Sequence, residues 1–379
     1  MRKCIVVSDS FKGTLSSGEI GRIAGEVIPR FFPDCQVVTI PVADGGEGTV
    51  DCFMSALGTE PVSAEVRGPN GQPVRAVYTR TGTKAVVEMA AAAGLPLALP
   101  GSGPADTTTY GAGQLIRHAV ERGCTEILLG LGGSATNDGG CGAAAALGVR
   151  FYNQAGERFV PTGGTLDQIA DVDLEDCRRL LAGVKITAMC DIDNPLFGPD
   201  GAAYVFAPQK GADPETVRFL DGQLRRLDAV LERRLGVSVA RLPGAGAAGG
   251  MGGGCAAFLG AELKSGIEAI LDLVEFDACL DGADLVITGE GRIDGQSVGG
   301  KVLTGVVKRT RPRDVPLICV VGGIDDSAAP AYDLGVTAMF SINRAPLPLE
   351  ESAARSGENY RRTLEDIMRL IRAVEGRRD

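Results

Sequence analysis

The chain has no tryptophan, a single histidine, and only 5% aromatic residues. With one imidazole, a histidine-rich metal centre is excluded, and a Ser-His-Asp relay would have to run through that one residue. His118 lies in the helical pattern QLIRHAVERG and reads as a structural side chain, surface or half-buried. Acid–base work therefore falls to Asp, Glu or Lys. No apolar run reaches the roughly 18 residues that a membrane-spanning helix needs. Met1-Arg2-Lys3 leads straight into a strand with no secretory pattern, so a cytoplasmic location away from the membrane is expected. The ten cysteines show no C-x-x-C spacing and are expected as reduced thiols, not disulfides or zinc ligands. Positive charge is also short. Lys+Arg number 38 against 48 Asp+Glu, a formal net charge of −10, which disfavours nucleic acid as a partner.

What is abundant is glycine, 54 of 379 residues, about twice the usual share. It comes in clusters where apolar runs end. The densest functional pattern is EILLGLGGSATNDGGCG, residues 126–142: a buried strand, a glycine-rich turn, then the small, helix-prone run Ala143 to Leu147. Such a turn presents backbone N–H groups at a helix start and suits an anion, most often phosphate. A lone glycine-rich turn is as often only a turn, and no Lys-Ser or Lys-Thr follows these glycines.

The remaining chain reads as α/β. Cys4 to Val7 is a strand, followed by a helix from Ser16 to about Phe31 with Ser16 as N-cap and Glu19 completing a capping box. Val37 to Val42 is a strand, and Val50 to Leu57 a helix. Val62 to Thr79 reads as a hairpin about Pro69-Asn70-Gly71. Strands at 85–89, 127–129, 186–190, 285–288, 316–321 and 338–342 alternate with helices. A polar amphipathic helix spans 349–374. PGAGAAGGMGGG, before residue 255, is either a flexible linker or another ligand-facing loop. Length points to two domains: a Rossmann-like parallel-sheet domain from both chain ends, residues 1–62 plus 262–379, with a mixed α/β domain, residues 63–261, inserted.

Five strand ends carry acidic or hydroxyl residues beside glycine or proline: Asp9/Ser10/Lys12, Asp44/Glu47/Thr49, Ser134/Thr136/Asn137/Asp138, Asp191/Asp193/Asn194 and Glu290/Asp294/Gln296. Gathered carboxylates repel. A Mg²⁺ ion relieves that, taking one or two carboxylates, waters and substrate phosphates. Acids, a cation, glycine loops and no histidine match phosphoryl transfer, which is mostly positioning and charge stabilisation.

The runs SDSFKGTLSS, PVADGGEGT, GLGGSATNDGG, CDIDNPL, TGEGRIDGQS and the following GGK resemble, in order, the signature runs of the bacterial type-1 glycerate kinase family. The likeness covers nearly the whole chain. It departs at Val302-Leu303-Thr304 and at Asn343-Arg344-Ala345-Pro346. The resemblance implies transfer of the γ-phosphoryl group of ATP to D-glycerate with Mg²⁺, commonly giving 2-phosphoglycerate. It also implies a two-domain α/β fold with one domain inserted. Asp191 and Lys12 are then expected as catalytic, Asp191 being preferred to Asp193 because it lies nearer the strand end. Asp9, Ser10, Asp44 and Asn194 are expected at the substrate. Gly132, Gly133, Ser134, Thr136, Asn137 and Lys301 are expected at the nucleotide. Asp193, Glu47, Glu290 and Asp294 are expected at the metal. The molecule is expected as monomer or homodimer. A kinase for another small hydroxy acid, or a sugar-acid-binding regulator without turnover, are the alternatives.

Overall fold

A computed structural model describes residues 1–11, 13–42, 50, 54, 59–294 and 301–376. The chain forms two units of mixed α/β structure: Met1–Ala43, Ser55–Gly58 and Ile270–Asp379 in one, Asp44–Met54 and Thr59–Ala269 in the other.

In the first unit, five strands form an all-parallel sheet in the order Ala338–Ser341, Leu317–Val321, Leu285–Thr288, Lys3–Ser8, Gln36–Pro41. Its central strands are near-continuous Val, Ile, Leu and Cys, buried throughout from Cys4 to Val7 and from Leu317 to Val321. That composition is what a sheet covered on both faces requires. Chain order reverses between Lys3–Ser8 and Leu285–Thr288, so the crevice beyond their carboxyl ends is the topological switch point where ligands bind in such sheets. Asp9 follows the first of these strands directly, and Glu290 follows the second after Gly289.

The helix Ser17–Phe31 starts where the sequence places it. The Ser16 hydroxyl accepts from the Glu19 N–H at 3.2 Å, and the Glu19 carboxylate accepts from the Ser16 N–H at 2.9 Å. The helix buries Ile20, Ile23, Val27 and Ile28 in one cluster with Tyr360, Leu364 and Met368. Ser16→Ala removes one half of this box and is expected to cost about 1 kcal/mol, read as a lower urea midpoint at unchanged slope. The tail is not one helix. It breaks at Arg355, whose N–H turns back to the Ser352 carbonyl at 3.1 Å, separating Leu349–Ala354 from Ser356–Glu375.

The second unit carries a six-stranded sheet in the order Glu262–Lys264, Lys185–Met189, Glu126–Gly130, Lys84–Glu88, Pro73–Thr81, Glu60–Arg67. The first four strands are parallel. The last two form the expected hairpin, Glu60 opposite Arg80 and Arg67 opposite Pro73. The four parallel strands end at one edge of the sheet, with Met89, Leu131 and Cys190 as the residues immediately beyond three of them. The glycine-dense stretch is not a linker: Ala247–Leu259 is a largely buried helix with a kink at its start. The expected helix at 50–57 falls almost wholly outside the described residues.

Candidate active site

Two cavities open at the carboxyl edges of the two sheets, one in each unit. The first, about 690 Å³, is lined by Asp9, Ser10, Glu290, Arg292, Gly322 and Asn343, among others. Asp9 is held in place: its N–H donates to the Gly289 carbonyl at 2.9 Å, and its Oδ1 accepts from the Ser10 N–H at 2.7 Å. Arg292 pairs with Asp325 at 2.7 Å, and this pairing, with the Ser327 N–H and hydroxyl, holds the Asp325 carboxyl down at about 2, the Ser327 bonds weighing most. Asp294 is half-buried after Ile293 and is not on the cavity wall.

The second cavity, about 390 Å³, brings together Gly132, Gly133, Ser134 and Asp191, with Lys210, Gln209, Phe206, Ala247 and Ala248 closing it. Here the glycine-rich turn after one parallel strand faces the acidic end of its neighbour. Asp191 is half-buried, and its Oδ1 accepts from the Gly266 N–H at 3.2 Å. Asp193, two residues on, is exposed and off the wall. The Asn194 side chain works inside its own loop, donating from Nδ2 to the Asp200 carbonyl at 2.8 Å, while its main-chain carbonyl accepts from the Gly246 N–H at 3.0 Å.

The turn itself is built on a buried carboxylate. Asp138 accepts from the N–H groups of Thr109, Gly140 and Gly142, at 2.8, 3.1 and 3.1 Å, and from the Thr109 hydroxyl at 2.9 Å. Burial pushes its carboxyl above the usual value, while these donors pull the other way. Thr136 and Asn137 are fully buried beneath the turn and are not on the cavity wall. The glycine-dense stretch is their seat. Ala248, Gly249 and Gly250 are all left-handed, with φ of 54°, 67° and 90°. A Cβ at Gly249 would lie 2.0 Å from the Thr136 carbonyl oxygen, so only glycine admits this approach.

Lys210 was not legible as a site residue. It ends the single turn Pro208–Lys210, which the sequence marks only as a turn. It is 6% exposed, and its Nζ donates to Ser134 Oγ at 2.8 Å and to the Thr136 carbonyl at 2.7 Å. Burial, working against the charge of Asp138, pushes its pKa down to about 7 from 10.5. Between these values the unfolded chain holds a proton that the folded chain has released. Stability is therefore expected to rise with pH across that window, and Lys210→Met to flatten the rise in pH-dependent urea unfolding.

Lys12, Asp44 and Glu47 lie outside the described residues, and Lys301 is the first residue of the helix Lys301–Thr310. His118 is half-buried, its Nδ1 3.2 Å from the Tyr78 hydroxyl and its Nε2 facing the Arg122 Nε at 3.1 Å, on neither cavity wall. Burial and then Arg122 push its pKa down, consistent with a neutral structural ring. No group of three or more His, Cys, Asp or Glu placed to hold a metal occurs among the described residues. No helix among them is long and apolar enough to cross a membrane.

A model of the glycerate kinase family matches residues 4–372. The chain is similar to a glycerate kinase of Bacillus cereus (43% identical over 368 residues, 96% of this chain and 97% of that one). It is similar also to the glycerate 2-kinase of Escherichia coli K12 (40% over 369 residues, 96% and 97%). Its fold matches a crystal structure assigned as glycerate kinase 2 from Salmonella typhimurium LT2, with a TM-score of 0.85, 40% identity and 99% of each chain covered. With the matches spanning both units and nearly the whole length, the chain belongs to the glycerate kinase family and is a phosphotransferase acting on an alcohol group.

Proposed function

We propose that the enzyme transfers the γ-phosphoryl group of ATP, with Mg²⁺, to a hydroxyl of D-glycerate, giving 2-phosphoglycerate, and that it does so in the cytoplasm as a monomer or homodimer. The second unit is read as a domain inserted into the first. The observation that carries this reading is the shared wall of the second cavity, where Asp191 meets Gly132, Gly133 and Ser134. Phosphoryl transfer asks little covalent chemistry of a protein. It asks for a held phosphate, a positioned hydroxyl and a group to take the proton. The glycine turn and the Ser134 hydroxyl serve the first need. Asp191, fixed through Gly266, serves the third by accepting the proton of the attacking hydroxyl.

Mg²⁺ binds oxygen and commonly takes only one or two protein carboxylates, completing its shell with waters and phosphate oxygens. Glu290, on the first unit's cavity wall, is such a donor, while Asp9 on the same wall stays a proposal for the substrate; the absence of a three-ligand cluster among the described residues does not count against that ion. When bound, it neutralises phosphate charge. Asp193 and Asp294 remain secondary proposals for the metal, and Asn194 for the substrate.

The test is ADP release with ATP·Mg²⁺ and D-glycerate, against L-glycerate, lactate, tartronate and hydroxypyruvate, with ³¹P NMR of the product. A clear preference for D-glycerate and a 2-phosphoglycerate resonance are expected. Turnover of a different hydroxy acid in preference, or a 3-phosphoglycerate signal, would each correct one part of the assignment. No ADP release above background would remove it.

A further inference from the structure

Lys210 is an expensive residue for a fold to keep. Its ammonium group is buried, and its two hydrogen bonds go to neutral oxygens, a hydroxyl and a carbonyl. No carboxylate among the described residues forms an ion pair with it. A buried charge held this way is a poor stabiliser, and an apolar side chain of similar length usually serves a core as well or better. An ammonium has three N–H donors, and two are accounted for. The polar groups around it are also under-used. Thr136 Oγ1 and both amide atoms of Asn137 are buried with no hydrogen-bond partner among the described residues. Native interiors satisfy nearly all such groups, so an ordered water is expected beneath the turn that Lys210 holds. All this sits behind the glycine turn, and Lys210 itself lies on the cavity wall beside Gly132, Gly133 and Ser134.

We infer that Lys210 is a phosphate-binding residue of this enzyme, its third N–H directed to a phosphate oxygen of the nucleotide while the other two hold the Ser134–Thr136 turn. The inference rests on the kinase reading above and names a cation that the motif lacks in sequence: no lysine follows the glycines, and one from residue 210 takes that place in space. The titratable groups facing Lys210 are few. Asp138 lies across the turn, and Cys190 and Asp191 share the cavity wall. The other wall segments, around Leu95, Leu131, Phe206 and Ala247–Ala248, bring no titratable side chain to it.

A depressed lysine that receives a phosphate must take up a proton. Calorimetric titration of the full-length enzyme in buffers of different ionisation enthalpy reads this directly. With a free-enzyme pKa of about 7, ATP·Mg²⁺ without glycerate is expected to take up about half a proton at pH 7 and about nine-tenths at pH 8. D-glycerate alone is expected to take up none. Lys210→Met should abolish the uptake and weaken ATP binding about 10- to 100-fold, the worth of a charge-assisted hydrogen bond in a shielded site.

No uptake by the wild-type enzyme on binding ATP·Mg²⁺, with ATP affinity unchanged in a folded Lys210→Met enzyme, would overturn the inference. Uptake with D-glycerate instead would move Lys210 to the carboxylate and overturn the phosphate assignment. A folded Lys210→Met enzyme with unchanged ATP affinity would reduce Lys210 to a latch for the turn. Glycerate turnover with unchanged ATP affinity in Lys210→Met removes this inference alone, whereas uptake without any ADP release removes the kinase reading and leaves the phosphate site standing.

Discussion

Asp191→Asn is expected to lower kcat by about 10²- to 10⁴-fold while leaving the fold and the KM for ATP nearly unchanged. The amide keeps the size and the acceptor that meets the Gly266 N–H at 3.2 Å, so the loop should stay in place. What it loses is the capacity to take a proton from a hydroxyl as that oxygen attacks phosphorus. Loss of an interaction made only in the transition state falls on kcat, not on ground-state binding. Asp193→Asn is the matched control. That side chain is exposed and away from the cavity wall, and its kcat is expected within a few-fold of wild type. Steady-state kinetics on both variants decides the matter. Equal effects at the two positions would argue for a general electrostatic role of the acidic loop, and a wild-type kcat for Asp191→Asn would remove the base assignment.

The sequence prefers Asp191 over Asp193 only because it lies nearer the strand end. Residues two apart share a face of an extended segment, so alternation does not separate them; Asp191 lies on the cavity wall and Asp193 off it where the chain has already left the strand, which ends at Met189. The strands, the hairpin about Pro69-Asn70-Gly71 and the Ser16–Glu19 capping box are legible for a simpler reason. Each is a local pattern whose physics is complete within a few residues. What escaped is non-local. Lys210 is one lysine in an unremarkable turn until folding sets it 2.8 Å from a serine 76 positions earlier. PGAGAAGGMGGG reads equally as a linker or a ligand-facing loop because composition cannot show that its glycines are needed for contact: Gly249 is there because the Thr136 carbonyl occupies the space a side chain would take. Thr136 and Asn137 fall within the phosphate-loop pattern and were assigned to the nucleotide on that ground, yet folding turns them inward. Sequence pattern marks the loop but not which of its side chains face the cavity.

Asp138→Ala is expected to be the most damaging single change to the fold of the second unit, at about 3–5 kcal/mol. Its carboxylate is the acceptor for three backbone N–H groups from two places, Thr109 at the start of the helix Tyr110–Glu121 and Gly140 and Gly142 at the start of Cys141–Ala146. Both helix starts would lose a cap at once, and no water has easy access to a site with zero exposure. Burial of the charge opposes this gain and is the reason its pKa is raised, so the carboxylate is not itself a net reservoir of stability. The damage comes from the donors left behind. Asp138→Asn separates the two contributions. It removes the charge and keeps one oxygen acceptor, but it sets an NH₂ group against backbone donors, so it should recover only part of the loss. Urea unfolding of the three proteins reads these costs, and a loss below about 1 kcal/mol for Asp138→Ala would show that the donors find other partners. Because the same residue holds the turn that carries Ser134 and Thr136, the folded fraction of Asp138→Ala should also show a raised KM for ATP. Lys210→Met should share that kinetic defect with a much smaller loss of stability, since methionine fills most of the lysine's volume and the Asp138 carboxylate keeps its own donors.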